Sequence, residues 1–392
     1  MLYPLIKERS SRRQFLIGGA ALSCSALVGC ASSSEGRFSK VDALARQAVK
    51  DKETPGVVLA VGHNGEVAHR YVYGSRALVP TREPMTWDTR FDMASLTKPT
   101  MTALAVMQLV EHGKINIDDP VVRYLPEFAA NKKSAVTLRL LLTHYSGLPP
   151  DVPLDSPWSG KAEAVRLAMT SPLANPPGAK FVYSDINYIT LGLIVEKVTG
   201  QPLNQYVADN ILTPLGMSHS GYLPDAALQP DIAPTQYDDQ HHMLRGVVHD
   251  PTARRMGGVA GHAGLFSNAQ DMCLYAQALL DRLAGRPSTF PLQRRTLELM
   301  ITPQQPAGKI DLRGLGWDIA THYSSPRGDL FSARSFGHTG FTGTSLWIDP
   351  ENDSYVLILT NRVHPSEGHS VVKLRHDIAT DAARALGVAA HA

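Results

Sequence analysis

The run VVLAVGHNGEVAHRYVYG, residues 57–74, narrows the possible folds of this chain more than any other stretch. Two strand-forming segments flank Asn64-Gly65, a dipeptide that accepts the left-handed backbone of a two-residue hairpin turn. An isolated hairpin is marginal in water, so further strands must join it. They are available at the other end of the chain. In SFGHTGFTGTSLWIDPENDSYVLILTNR, residues 335–362, His338-Thr339-Gly340 enters a hairpin whose strands meet at the DPEND turn, and a final helix is expected around Val371 to Leu386. Between Ser95 and roughly residue 315 the pattern is mostly helical with proline-rich loops, and no tandem repeat interrupts it. The expected fold is therefore α/β (α+β), with an antiparallel sheet built from both chain ends and flanked by helices. The α/β part spans 37–94 and about 315–392, the inserted, mostly helical part about 95–314, and a functional site is expected in the seam.

The inserted part begins with FDMASLTKPTMTALAVMQLVEHGKI, residues 91–115. From Thr97 it reads as a helix with Ala103, Leu104, Met107, Leu109 and Val110 on its apolar face and Gly113 closing the run. Residues three apart share a helix face, so Ser95 and Lys98 should lie one above the other. A helix N-terminus offers unpaired N–H groups, and a crowded lysine can lose its proton, which together make a nucleophile with an activator. Serine is also an ordinary helix cap and lysine an ordinary surface residue, so the triplet alone decides nothing.

Two other stretches accompany it. PPGAKFVYSDINYITLGLIVEKVTG, residues 176–200, carries Tyr183-Ser184-Asp185 before a helix, and His338-Thr339-Gly340 follows later in the chain. In that order the three sets resemble the active-site motifs of the serine β-lactamase and penicillin-binding-protein superfamily, nearest its class C β-lactamase-like branch of esterases, D-alanyl peptidases and a muropeptide amidase. LLTHYSGL at 141–148 and VVHDPTARRMGGVAGHAGLFS at 247–267 look like further segments of that branch, the second of its cell-wall-directed members.

The resemblance implies a β-lactamase/transpeptidase-like fold and a set of roles. Ser95 would attack a carbonyl, with Lys98 and Tyr183 sharing the proton work; which of the two holds a proton at rest is open, because close titrating groups share their titration. His338, Thr339 and Gly340 would face the substrate's carboxylate or acyl flank, and the amides of Ser95 and Phe341 would form the oxyanion hole. Two positions depart from the drug-hydrolysing pattern. Asp185 replaces an asparagine, and an ionised carboxylate only accepts hydrogen bonds, favouring an amine or N–H donors on the substrate; its alternative is a helix N-cap. His338 replaces a lysine and is less surely charged at neutral pH.

The N-terminus adds a location. Arg12-Arg13-Gln14-Phe15-Leu16 followed by a short apolar run ending Leu27-Val28-Gly29-Cys30 looks like a twin-arginine lipoprotein signal over 1–30, with Cys30 lipidated and 31–36 a flexible tether. Ala31 after the cysteine fits transfer to an outer membrane; a signal cut after an Ala-x-Ala-like site and an uncleaved anchor are the competing readings. The run is too short and interrupted for a secure membrane span. The expected location is the periplasmic side of a bacterial membrane.

Formal charge is +2 overall and +3 in residues 1–30, which leaves −1 for the remainder and nothing to attract nucleic acid. Past Cys30 only Cys273 remains, so no internal disulfide is expected, and its apolar surroundings read as packing. Fifteen histidines include no H-E-x-x-H, so no metal or other cofactor is expected. GGVAGHAG lacks the lysine of a phosphate loop; tight turns explain its glycines better. His144, His249 and His262 lie in the family-like loops, where each alone favours a structural role, and DSPWSG near residue 155 looks like a loop over the cleft.

The expected function is a membrane-tethered serine hydrolase that cleaves an amide of peptidoglycan-derived peptides, as a D-alanyl-D-alanine carboxypeptidase or a muropeptide amidase. An esterase or weak β-lactamase and a non-catalytic module that binds cell-wall peptide are the alternatives.

Overall fold

The computed structural model describes residues 34–388. The signal over 1–30, the lipidation site Cys30 and the first tether residues lie outside them. Ser34–Arg37 is already a helical turn, so the tether expected over 31–36 overlaps the start of the folded unit.

Chain order gives β1 (Gly56–His63), β2 (Glu66–Ala77), β3 (Glu83–Pro84), β4 (Phe91–Asp92), β5 (Gly221–Tyr222) and β6 (Leu265–Ser267). After these come β7 (Leu312–Arg313), β8 (Asp318–Ala320), β9 (Phe336–Thr339), β10 (Ser345–Asp349) and β11 (Ser354–Thr360). Eight of them make one antiparallel sheet in the order β3-β2-β1-β11-β10-β9-β8-β7. The ends of the chain meet at its centre, where Leu59 faces Ile358 and Val61 faces Val356. Asn64 and Gly65 both take positive φ at the β1–β2 turn, as the dipeptide requires.

Alternation along β1 and β11 sends Val57, Leu59, Val61, Val356 and Ile358 to one face and Val58, Ala60, Leu357 and Leu359 to the other. Both faces are covered, which is why these strands read as nearly unbroken apolar runs. Helices Ser39–Lys50 and Val372–Leu386 cover the first face through Val41, Ala45, Leu374 and Ile378. Over the second face lies the inserted segment, and its helix Ala269–Ala284 packs directly on β1 and β11. The helical part is thus not a separate layer, because an amphipathic helix reads alike whether its apolar side meets a sheet or other helices. Cys273 on that helix is buried.

One feature differs from expectation. A second sheet, β4-β6-β5, has two of its strands within the helical region; strands of two and three residues carry no readable alternation. As expected, His338 and Thr339, on β9, lead into the hairpin in which the DPEND turn joins β10 to β11. Among the described residues no helix is long and apolar enough to cross a membrane.

Candidate active site

β4 ends in a sharp bend at Ala94, whose φ of 47° is rare for a residue with a side chain. Asp92 holds that bend: its Oδ1 accepts the Ala94 N–H at 2.8 Å and its Oδ2 the His249 N–H at 2.6 Å. Buried, Asp92 has its pKa pushed up to about 6, the two N–H donors only partly opposing burial. The chain then makes a tight 3₁₀ turn at Ala94–Leu96, a wide π-helical stretch at Lys98–Ala103 and a regular α-helix at Leu104–Glu111. The single helix expected from Thr97 is therefore irregular at its start, where Pro99 has no N–H to give the ladder.

The bend aims Ser95 and Lys98 together as their spacing implies. The Lys98 ammonium, 1% exposed, donates to Ser95 Oγ at 3.0 Å and to the His262 carbonyl at 3.0 Å, and its third neighbour is Asp185 Oδ1 at 2.6 Å. Burial works against its charge, but Asp185 and then Tyr183 outweigh that and raise its pKa above the ordinary ammonium value. Tyr183 brings its ring to 5.0 Å from Lys98 Nζ. Its hydroxyl is buried without a hydrogen-bond partner, and burial lifts its pKa more than Lys98 lowers it. Both shifts favour the protonated forms of the pair.

Asp185 is not a cap. Ser184 is the flanking residue and Asp185 the first of helix Asp185–Thr199, with its carboxylate turned to Lys98. Beneath Tyr183, the His144 ring stacks at 4.5 Å and accepts the Ser184 N–H on Nδ1. Burial, followed by the cations Arg313 and Lys98, keeps His144 neutral by pushing its pKa well below 6.5. His262 is buried and pairs through Nε2 with Asp250 at 2.8 Å. Burial opposes both charges, yet each partner stabilises the other, so His262 is shifted up and Asp250 down. The glycines of GGVAGHAG serve close packing as well as turns: a Cβ on Gly261 would fall 1.9 Å from the Tyr188 carbonyl.

β9 supplies the opposite wall. Gly340 follows Thr339, and a Cβ there would lie 2.2 Å from Thr344 Oγ1 and 2.6 Å from the Met93 carbonyl, so only glycine lets the strand end touch the Ser95 bend. Thr342 and Thr344 bond the carbonyls of Asp92 and Met93 from the same side. Among the described residues, the N–H groups of Ser95 and Phe341 donate to no protein acceptor and remain free for an oxyanion. His338 accepts no charge: burial, then Arg313 and Lys98, hold its pKa well below 6.5, and Nδ1 donates to the Thr339 carbonyl at 2.8 Å.

Ser95, Tyr183 and Phe341 stand where two cavities meet. One, of about 400 Å³, runs past His338 and Thr339 and carries Arg313, Arg362 and Arg375 against a single acid, Asp318. The other, of about 560 Å³, opens past Asp185 and carries Asp239, Asp250 and Glu367 besides it. Its two arginines bond backbone carbonyls, Arg254 those of Val248 and His249 and Arg255 those of Leu154 and Ser156, as those of the first cavity also do, Arg313 with Gly316, Arg362 with Phe341 and His369 and Arg375 with Gly340 and Thr344; Glu367 lies 3.9 Å from Arg362. Leu154, just before DSPWSG, is on the wall of this second cavity, and Trp158 of that stretch lies under Arg255, which lines it.

The three arginines of the first cavity were not foreseen from sequence. Arg375 had a signal, being charged on the apolar face of a helix between Leu374 and Ile378; it donates to the Gly340 and Thr344 carbonyls, and burial pushes its pKa down to about 9. Asp185, Asp250 and His262 bring one ligand atom each within 4.8 Å of one another. Asp185 already faces Lys98 and Asp250 already faces His262, which leaves that trio poorly suited to a metal.

The sequence model of the Beta-lactamase family matches residues 41–380. The chain belongs to the Beta-lactamase family. It is accordingly a serine hydrolase, and the geometry around Ser95 is that of a nucleophile with a lysine and a tyrosine beside it. A protein of Escherichia coli K12 named "Putative D-alanyl-D-alanine carboxypeptidase" is 32% identical over 364 residues, covering 84% of this chain and 83% of that protein. A protein of the same name from Salmonella schwarzengrund is 35% identical over 312 residues, 71% of each chain. Among solved structures, EstCE1, a hydrolase with promiscuous acyltransferase activity, superposes with a TM-score of 0.72 at 21% identity over 89% of this chain and all of that one. A class C β-lactamase gives 0.70 at 22% identity over 88% of this chain and 96% of that one, which supports the fold.

Proposed function

We propose that this chain is a D-alanyl-D-alanine carboxypeptidase that cuts peptidoglycan-derived peptides through an acyl-enzyme on Ser95. The observation that carries the reading is the position of Ser95 Oγ, held 3.0 Å from Lys98 Nζ at the mouth of a cavity with three arginines and one acid. A terminal carboxylate fits such a cavity, and the scissile carbonyl would then lie over the serine. Ser95 attacks, the free amides of Ser95 and Phe341 receive the oxyanion, and Tyr183 passes the proton to the departing D-alanine. The names of the relatives at 32% and 35% identity support the same substrate. Arg12-Arg13 and Leu27-Val28-Gly29-Cys30 support export and a lipid tether at Cys30, on the periplasmic side of a bacterial membrane.

Mass spectrometry of purified muropeptides incubated with the chain and with its Ser95→Ala variant tests this. Loss of one alanine is expected, falling about 10⁴-fold or more in the variant while the fold is kept. Release of the whole stem peptide would replace the reading by a muropeptide amidase. No change with either protein would end it.

A further inference from the structure

A charged lysine is a poor base, yet Lys98 is the amine nearest the Ser95 hydroxyl. Its ammonium donates to Ser95 Oγ and the His262 carbonyl and forms an ion pair with Asp185 Oδ1, the shortest of the three contacts. Among the described residues Asp185 has no other side-chain partner within bonding distance. Its side chain is 20% exposed although Oδ1 is buried, and it lines the 560 Å³ cavity on the acyl side of Ser95. One carboxylate therefore faces the catalytic ammonium on one side and the substrate's space on the other.

We propose that Asp185 is exchanged between two ammonium groups: a primary amine on the acyl half of the substrate enters the acidic cavity, takes Asp185 from Lys98, and so releases Lys98 as the base. The inference rests on the peptide substrate proposed above and adds to it the requirement for a free amine. Charge balances, because the substrate brings one cation in and Lys98 gives one proton to solvent. The Ser95 hydroxyl proton then moves to the neutral Lys98 nitrogen as the Oγ–C bond forms. When the C–N bond breaks, the proton passes through Tyr183 to the leaving nitrogen.

The surroundings of Lys98 favour an exchange driven by Asp185. From the helix that begins at Asp185 come that residue and Tyr188, with Tyr183 just before it; from the segment after β5 come Asp250 and His262, which neutralise each other; from β9 and its neighbours come His338, His144 and Arg313. Asp151, near Asp185 and bonded by Thr252, has its pKa raised to about 6 by burial and by Asp185. Asp185 is thus the carboxylate in direct contact with Lys98, and the other cation near it, His262, is bonded to Asp250. A positive charge arriving about 5 Å from Lys98 shifts its titration by about two pH units at an effective dielectric near 20.

Calorimetry in two buffers of different ionisation enthalpy counts the proton. The Ser95→Ala variant is titrated with L-Lys-D-Ala-D-Ala and with its N,N-diacetyl form. Proton release that grows from pH 7 to pH 9 with the free amine and stays absent with the acetylated peptide is the expected result. Equal release from both overturns the exchange while leaving the carboxypeptidase reading intact; binding of neither peptide removes the substrate reading itself. Independently of any peptide, Asp185→Asn is expected to move the acid limb of hydrolysis of a neutral chromogenic ester about two pH units lower. An unmoved limb in folded Asp185→Asn protein also overturns the proposal.

Discussion

The two cavities that meet at Ser95 share Tyr183 and Phe341 and differ in charge. Past His338 the wall carries Arg313, Arg362 and Arg375; past Asp185 it carries Asp239, Asp250 and Glu367 beside Arg254 and Arg255, with Asp250 bonded to His262 and Glu367 near Arg362. Such an arrangement would orient a zwitterionic chain before any chemistry, because reversing the ligand would place like charges together at both ends. It also shows how the family pattern is altered here. Neutral His338 has given up the cationic role, and arginines from β7, from the end of β11 and from the last helix surround the same space.

Removing charge from one cavity alone is the strongest way to break this contrast. Arg313 is buried, lines the cationic cavity and has an unpartnered Nε. Arg313→Met should raise KM for a peptide with a free terminal carboxylate about 10²-fold, the loss of about 2–3 kcal/mol of charge-assisted bonding. The C-terminally amidated peptide should be nearly unaffected; equal losses for both would mean that Arg313 acts only in packing.

Asp92 lies under both cavities and should not distinguish them. Asp92→Asn turns one acceptor into a donor facing an N–H, and about 1–3 kcal/mol of stability should be lost, with activity on every substrate. The raised carboxyl stabilises the wild type in full below its ordinary value of 3.8, and that contribution is lost as pH rises through about 6. The gap in denaturation midpoint between the two proteins should therefore narrow from pH 4 to pH 7, and a widening gap would contradict the assignment.

The smallest effect is expected at His338. Because burial and the neighbouring cations keep it neutral, His338→Gln should cost less than about tenfold in kcat/KM and leave the pH profile between 5 and 8 unchanged. A changed profile in this variant would return the charge to His338.

Much of this was legible in the chain. Asn64-Gly65 marks a hairpin because the turn's backbone demands it, and Ser95 with Lys98 meets at helical spacing. The arginine cavity was not legible, since three residues widely spaced in the chain acquire a common role only when β7, β11 and the final helix converge. Asp185 illustrates a different limit. Its position before a helix suggests a cap, and only the arrival of Lys98 from another segment shows what its charge answers. The Asp250–His262 pair lies within one quoted segment, yet nothing in the spacing of its residues says that they bond.

The contact of Gly340 with the Ser95 bend has a kinetic consequence. Thr342 and Thr344 bond residues 250 and 251 positions earlier in the chain, and β1 pairs with β11 across a similar span. Contacts this distant in sequence are costly to close and form late. Ser95, although made early in synthesis, has no aligned oxyanion amide from Phe341 until the last strands have docked. A chain cut short before β10 and β11 would therefore lack both the central strand pairing and the contacts that hold the Ser95 bend.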